Sequence, residues 1–299
     1  KRQINALIES QFKFASKIIE TQKFNGKTFF TLHRLHYALS VHQIYNNKFL
    51  KFIKHFRKQS EYAIGHFLME LFSMQTEFSV QKLEHIWHDW LANEEVLSAM
   101  DSDKIMESFK NNIPEINKYI QYSYYLYKAF DDLDKTEYFF KAKEIFDKLL
   151  PSLNHDYAAL AYQTFINYCF NKTNYYDTSF YRVIFEIYNE KLNSGFDEDI
   201  RLRNYPTNNF RDYVVVGLRL KEHEWVDNFI SKYGKILPDD YKPDEINITR
   251  AMLHLSKNEP DIAMKFLEKT KRKNYFHYID ISEMKMRIHY DKNDLISAE

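Results

Sequence analysis

The sequence predicts an all-α chain, and three observations carry that prediction. Apolar residues recur at three- and four-residue spacing almost throughout its 299 residues, which is the period of one helix face. No stretch alternates polar and apolar residues with period two for long. Only 5 Gly and 6 Pro punctuate the chain, and each proline falls at an expected junction, where a helix tolerates it. With 23 Tyr and 25 Phe, the helices must be held by ring packing, because aromatic residues are mediocre helix formers on their own.

Each element follows from its own stripe. Ile4, Leu7, Ile8, Phe12 and Ala15 share one face of a first helix. Phe29 to Tyr45 reads as a second, ending at Asn46-Asn47, and Phe49, Phe52, Ile53 and Phe56 form the apolar stripe of a third. Glu61 to Met74 is expected as a fourth and Val80 to Leu91 as a fifth. Pro114 opens a helix running through Tyr127, and Thr136 to Leu150 stops before Pro151. Asp156 to Phe170 and Tyr176 to Leu192 make a further pair, closed by Ser194-Gly195. Tyr213-Val214-Val215-Val216 is β-branched, yet it lies within a three-four pattern and reads as helix.

The last third repeats. Leu220-Lys221-Glu222-His223-Glu224 aligns with Leu255-Ser256-Lys257-Asn258-Glu259 at a spacing of 35 residues, and the same step reaches Tyr290-Asp291-Lys292-Asn293-Asp294. Each unit ends a helix, turns through polar residues and restarts on an acid, which suits the positive end of the next helix dipole. A period near this length with two helices per unit is the pattern of stacked helix hairpins, because no hairpin buries both its faces alone.

On these residues the segment 210–299 resembles degenerate tetratricopeptide (TPR) repeats. Ala251 and Ala263 sit where that pattern wants small side chains, and Gly217 takes the first such role in its own unit. Phe229 and Lys285 depart from the pattern at matching positions, and the usual proline near Tyr275 is missing. More broadly, "FRDYVVVGLRLKEHEWVDNFISKYGKILPDDYK", with "NYCFNKTNYYDTSFYRVIFEIYNEKLNSG" before it, resembles an uncharacterised bacterial family of long helical-repeat proteins. That resemblance runs from about residue 30 to the end and implies a fold but no activity. The Lys-, Asn-, Ile-, Tyr- and Phe-rich usage also suits an AT-rich bacterial genome.

Composition excludes several classes. Cys169 is the single cysteine, so neither an intramolecular disulfide nor a multi-cysteine zinc site is possible, and a reducing compartment is expected. No apolar run is long enough to span a bilayer. The chain opens on Lys1 and stops at Glu299 without evident boundaries, which suggests an excised fragment. Catalytic signatures are missing: no glycine-rich phosphate loop, no His-Glu-x-x-His, no Gly-x-Ser-x-Gly, and no histidine with Glu three residues before it.

Four groups of residues remain as candidates. His88-Asp89 and His155-Asp156 have the form of metal ligands in helical phosphohydrolases, and His85 with His88 could share a metal with His33 and His36; the plainer reading is imidazoles laid against neighbouring rings such as Trp87 and Trp90. The helix "NKFLKFIKHFRK" turns Lys51, Lys54 and Lys58 away from its aromatic stripe. It could meet an anionic membrane, a phosphate or an acidic protein; the plainer reading puts its rings in the core and its lysines in water. Arg219, His254 and His289 recur 35 apart and would form a ridge for an acidic peptide if the units stacked in register. In "YIQYSYYLYKAF", Tyr119, Tyr122, Tyr125 and Tyr127 cannot all share one face, so Tyr122 and Tyr125 are candidate anchors of a groove, or core rings with wet hydroxyls.

Charge is balanced overall at 42 basic and 42 acidic residues but uneven along the chain. Residues 1–60 hold 12 basic and 2 acidic, a balance of +10; the remaining 30 basic and 40 acidic give −10. The expected architecture is an all-α, right-handed α-α superhelix, a TPR-like solenoid, with a basic-to-mixed helical region over 1–112 and repeats over 113–299. The expected function is non-catalytic: a cytoplasmic scaffold holding a peptide or protein in a groove, without cofactor. Nucleic-acid or anionic-surface binding through the basic N-terminal helices is the alternative, and a metal-dependent helical hydrolase is the residual catalytic one.

Overall fold

The computed structural model describes residues 2–83, 95–97, 99–110, 117–174, 177–195, 207–271 and 275–292. These residues are all-helical apart from one isolated bridge between Phe24 and Leu153. The chain divides into two compact units, Lys1–Asn171 and Lys172–Glu299.

The first unit contains α1 (Arg2–Thr21), α2 (Thr28–Tyr45), α3 (Phe49–Leu83), α4 (Ser102–Lys110), α5 (Asn117–Asp131), α6 (Thr136–Leu149) and most of α7 (His155–Asn174). Two antiparallel hairpins, α2–α3 and α5–α6, join where α3 packs on α5. The core between them is built from rings: Phe72, Phe130, Phe139, Phe146, Tyr162, Phe165 and Tyr168 are fully buried. Phe139 stacks on Tyr168 at 4.5 Å, and Phe146 meets Tyr162 edge-on at 5.0 Å, geometries that add to the burial itself. Phe24 is pinned by two backbone bonds, its N–H to Ser152 O and its carbonyl to Asn154 N–H, and its ring stacks on Tyr119 at 3.9 Å.

The third helix corrects the expectation of two separate helices over 49–74. α3 runs unbroken through 35 residues. Nothing between Lys58 and Glu61 stops it: that stretch lacks Gly and Pro, and Glu61 pairs back one turn with Arg57 at 3.1 Å and Lys58 at 3.0 Å. The expected helix over Val80–Leu91 is described only as the end of α3, since 84–91 lie outside the described residues, as does Pro114.

The second unit contains α8 (Phe180–Ser194), α9 (Thr207–Arg219), α10 (His223–Tyr233), α11 (Lys242–Ser256), α12 (Pro260–Lys269) and α13 (Tyr275–Asp291). The hairpins α9–α10 and α11–α12 pack against each other through α9–α11 and α10–α11, and α13 covers α11 and α12. Ala251 and Ala263 are fully buried beside Ile248, Leu267, Ile281 and Ile288. At Gly217, a Cβ would come within 2.5 Å of Val226 Cγ2, so the absence of a side chain is what lets α9 and α10 approach.

The two hairpin turns are not 35 residues apart, as the letters align, but 37. Lys221 and Asn258, 37 residues apart, both adopt positive φ (60° and 62°) and close their helices with the same pair of bonds. Lys221 and Glu222 N–H reach Leu218 and Gly217 O; Asn258 and Glu259 N–H reach Leu255 and His254 O. This is the Schellman arrangement, with the left-handed residue just past the helix. It occurs a third time at Asn47 (φ 54°), where Asn47 and Lys48 N–H reach Ile44 and Gln43 O. In the turn register Val214 matches Ala251, Val226 matches Ala263 and Ile230 matches Leu267, all buried. Phe229 therefore matches Phe266 and is no departure at the Ala263 position.

Candidate functional site

In the first unit, α3, α5 and α7 each turn one face towards a common cavity of about 370 Å³. From α3 come Met69, Glu70, Ser73, Thr76, Glu77 and Val80, a set at three- and four-residue spacing that forms one helical stripe. From α5 come Tyr122, Ser123, Leu126 and Phe130. From α7 come Tyr157, Leu160, Ala161, Gln163, Thr164 and Asn167, and Gly26 closes one end. The α7 stripe is placed by its first turn, where Asn154 Oδ1 accepts the Tyr157 N–H at 2.9 Å and fixes the start of the helix.

The cavity is layered. Tyr122 forms its floor with only 5% of its surface exposed, packed against Phe146 and Phe165. Burial, together with the neighbouring Tyr157, pushes the Tyr122 phenol well above its ordinary range, so it stays a neutral hydrogen-bonding group. Burial also pushes Tyr157 up to about 12, with the Ser123 hydroxyl as its hydrogen-bond partner acting the other way. The rim is polar and acidic: Glu70, Ser73, Glu77 and Asn167 are exposed, and no Lys, Arg or His lines it among the described residues. Gln163 Nε2 donates to Asn167 Oδ1 at 2.9 Å, and Leu160 stands 66% exposed between these polar groups. A site of this composition can hold an apolar side chain on Leu160, Met69 and Val80 while two carboxylates meet a cation at its edge.

The tyrosine candidates separate. Tyr122 lies in the cavity floor, whereas Tyr125 is half-buried beside Tyr124 and Tyr138, at 5.2 and 6.2 Å, and does not line it. The neighbouring phenols are also engaged: Tyr124 donates to Asp103 Oδ1 at 2.7 Å, and Tyr119 lies 3.1 Å from Ser152 Oγ. Glu70, Glu77 and Leu160 escaped the sequence reading. Their signal was a helical stripe of mixed polarity, which carries no motif.

Arg219 and His254 do not occupy equivalent positions of their hairpins. In the 37-residue register the counterpart of Arg219 is Ser256 and that of His254 is Gly217, so the two side chains are not equivalent. The Arg219 guanidinium lies over the Tyr181 ring at 5.5 Å. His254 stacks on Phe266 at 5.4 Å and its Nδ1 meets Glu259 Oε2 at 2.6 Å. His289 lies half-buried on α13.

The basic helix corrects its plainer reading. Phe49, Ile53 and Phe56 are exposed, not in the core, and the buried part of α3 begins only at Gly65. Lys51 and Lys54 are exposed, and Lys58 pairs with Glu61 beside the Tyr62 ring.

Among the histidines, His33 Nδ1 meets Gln59 O at 3.2 Å and His36 Nδ1 meets His55 Nδ1 at 3.1 Å. His155 and Asp156 approach to 3.8 Å. His85, His88 and Asp89 lie outside the described residues. No three His, Cys, Asp or Glu side chains among the described residues gather in a metal-holding group. No described helix is long and apolar enough to cross a membrane. The chain matches no protein-family model, no curated protein and no solved structure.

Proposed function

We propose that the protein is a non-catalytic binding scaffold that holds a peptide segment of a partner in the groove of α3, α5 and α7. The observation that carries this reading is the convergence of three helical stripes on one cavity with an apolar floor and an acidic rim. The recognised segment pairs an apolar side chain, seated against Leu160 and Met69, with a Lys or Arg facing Glu70 and Glu77. Rigid helices supply such a surface without an ordering cost on the scaffold's side. The TPR-like solenoid reading belongs to the same proposal; the recurring Schellman turns and the matched buried positions of α9–α10 and α11–α12 support it. A cytoplasmic location goes with it, in keeping with the single buried Cys169.

The test is selection of short random peptides against the full chain, followed by fluorescence polarisation with the recovered sequences. Recovered peptides should share a basic residue next to an apolar one, and Glu70→Lys/Glu77→Lys should weaken them by about tenfold or more. Peptides whose affinity ignores both this pair and Leu160→Asp would overturn the groove.

A further inference from the structure

The two most exposed large apolar side chains among the described residues are Leu50 at 84% and Tyr45 at 78%, and both sit at the tip of the α2–α3 hairpin. They flank the Asn46-Asn47-Lys48 turn, and Ile44, Phe49 and Ile53 beside them are exposed too. The exposure continues along one face. On α3, Phe49, Ile53, Phe56, Ile64 and Phe67 fall within a sector of about 80° at 3.6 residues per turn. On α2, Phe30, Tyr37 and Ile44 recur every seven residues.

The seam between the helices fixes how these rows relate. Phe29 meets Tyr62, His33 Nδ1 meets Gln59 O at 3.2 Å and His36 meets His55, so the helices are antiparallel. Both rows are turned from that seam in the same sense along the chain. In antiparallel helices that places them on one face of the hairpin. Lys51 and Lys54 follow the turn on α3, Arg34 and Arg57 border the apolar rows, and Lys48 in the turn itself pairs with Glu9 at 2.8 Å.

We propose that this hairpin tip is a peripheral membrane contact, which dips Tyr45, Phe49 and Leu50 into the headgroup layer of an anionic bilayer. Charge decides between occupants. A second copy seated on this face would set one +10 segment against another. An acidic partner helix lying along the face would leave Tyr45 and Leu50 uncovered, because they point to the outer edges of their helices. A fluid anionic layer covers tip, face and edges together. Tyrosine suits the water–lipid boundary, and lysines at the tip pair with phosphates and carboxylates there. This inference is independent of the α3–α5–α7 groove, which lies at the other half of α3.

The experiment is co-sedimentation of the full chain with phosphatidylserine-containing vesicles and with phosphatidylcholine vesicles. Binding is expected only to the anionic vesicles, falling as salt is raised. Tyr45→Ser/Leu50→Ser and Lys51→Glu/Lys54→Glu should each weaken it by about tenfold or more, since both apolar burial and basic charge contribute to interfacial binding. All these side chains are exposed, and unchanged circular dichroism will show that the variants fold. No sedimentation with anionic vesicles overturns the proposal. So does sedimentation insensitive to the Tyr45/Leu50 pair, which would indicate adsorption by charge alone. Capture by an acidic polypeptide without vesicle binding would assign the face to a protein instead.

Discussion

The guanidinium of Arg211 on α9 grips the fully buried carboxylate of Glu245 on α11 with two nitrogens, Nε to Oε1 and Nη2 to Oε2, the latter at 3.0 Å. Its third nitrogen, Nη1, donates to Asp280 on α13. His277 Nε2 approaches Glu245 Oε2 at 3.3 Å. One arginine therefore ties three helices together, and hydrogen bonding to Glu245 and Asp280 holds its pKa above the usual value against the opposing effect of burial.

Removing one partner of this network should be far worse than removing the pair. Arg211→Ala strands the Glu245 carboxylate in the core and should cost about 3–5 kcal/mol in urea unfolding. Arg211→Met/Glu245→Gln removes both charges, leaves His277 Nε2 a hydrogen-bond partner and should recover part of that loss, because Asp280 is partly exposed and can solvate itself. A double variant as unstable as the single one would show that the network contributes more than its own desolvation.

The shared turn makes a stabilising substitution available. Lys221 holds φ 60° without the tolerance of Asn or Gly for that region, and Asn258 holds φ 62° at the matching site. Lys221→Gly should raise stability by about 0.5–1 kcal/mol, whereas Asn258→Gly should stay nearer to zero. Equal effects at both sites would mean that the backbone strain assigned to Lys221 is absent.

Gly217 tests how closely α9 and α10 can pack. Alanine is the better helix former by roughly 1 kcal/mol, yet its Cβ meets the stiff, β-branched Val226 at 2.5 Å. Overpacking should win, leaving Gly217→Ala less stable by about 1–2 kcal/mol. Adding Val226→Ala should restore part of the loss, and thermal unfolding of the two variants checks both signs.

These cases mark how far the residues alone could be read. Helix periodicity located α2 and α6 closely, because each is bounded by its own turn chemistry, at Asn47 and Pro151. The stripes of α3 do not show its continuity, because the polar residues between them leave backbone bonding intact and 49–64 contain neither Gly nor Pro. The spacing of the two turns does not follow from matching letters: the left-handed residue is Lys in one and Asn in the other, so the letters align at 35 residues and the turns at 37. The outward aromatic face at Phe49–Phe56 was legible as a stripe. Which side it turns to depends on tertiary cover: the buried residues of α3 begin at Gly65, and Phe72 beyond it meets Tyr124 and Tyr127 of α5.

His36 and His55 give the fold a sensitivity to acid. Their Nδ1 atoms lie 3.1 Å apart, which requires at least one ring to be neutral. Burial, the facing His55 and then Lys58 hold the His36 pKa down to about 4, with Glu61 acting the other way and Lys54 adding a little. The Tyr62 ring packs against it as well, at 5.5 Å. Burial also lowers His55, with Lys54 and Lys51 contributing. An unfolded chain protonates histidine near 6.5, so between that value and about 4 it binds more protons than the folded chain. Stability should therefore be full above pH 6.5 and fall as pH drops towards 4. Because His36 is partly solvated, the loss from this residue should be on the order of 1–2 kcal/mol. His36→Gln cannot take up that proton. Urea unfolding of both chains at neutral and mildly acidic pH should show a shallower acid loss in the variant, separating this pair from the carboxylates that titrate in the same range. Parallel curves would place the acid sensitivity elsewhere in the fold.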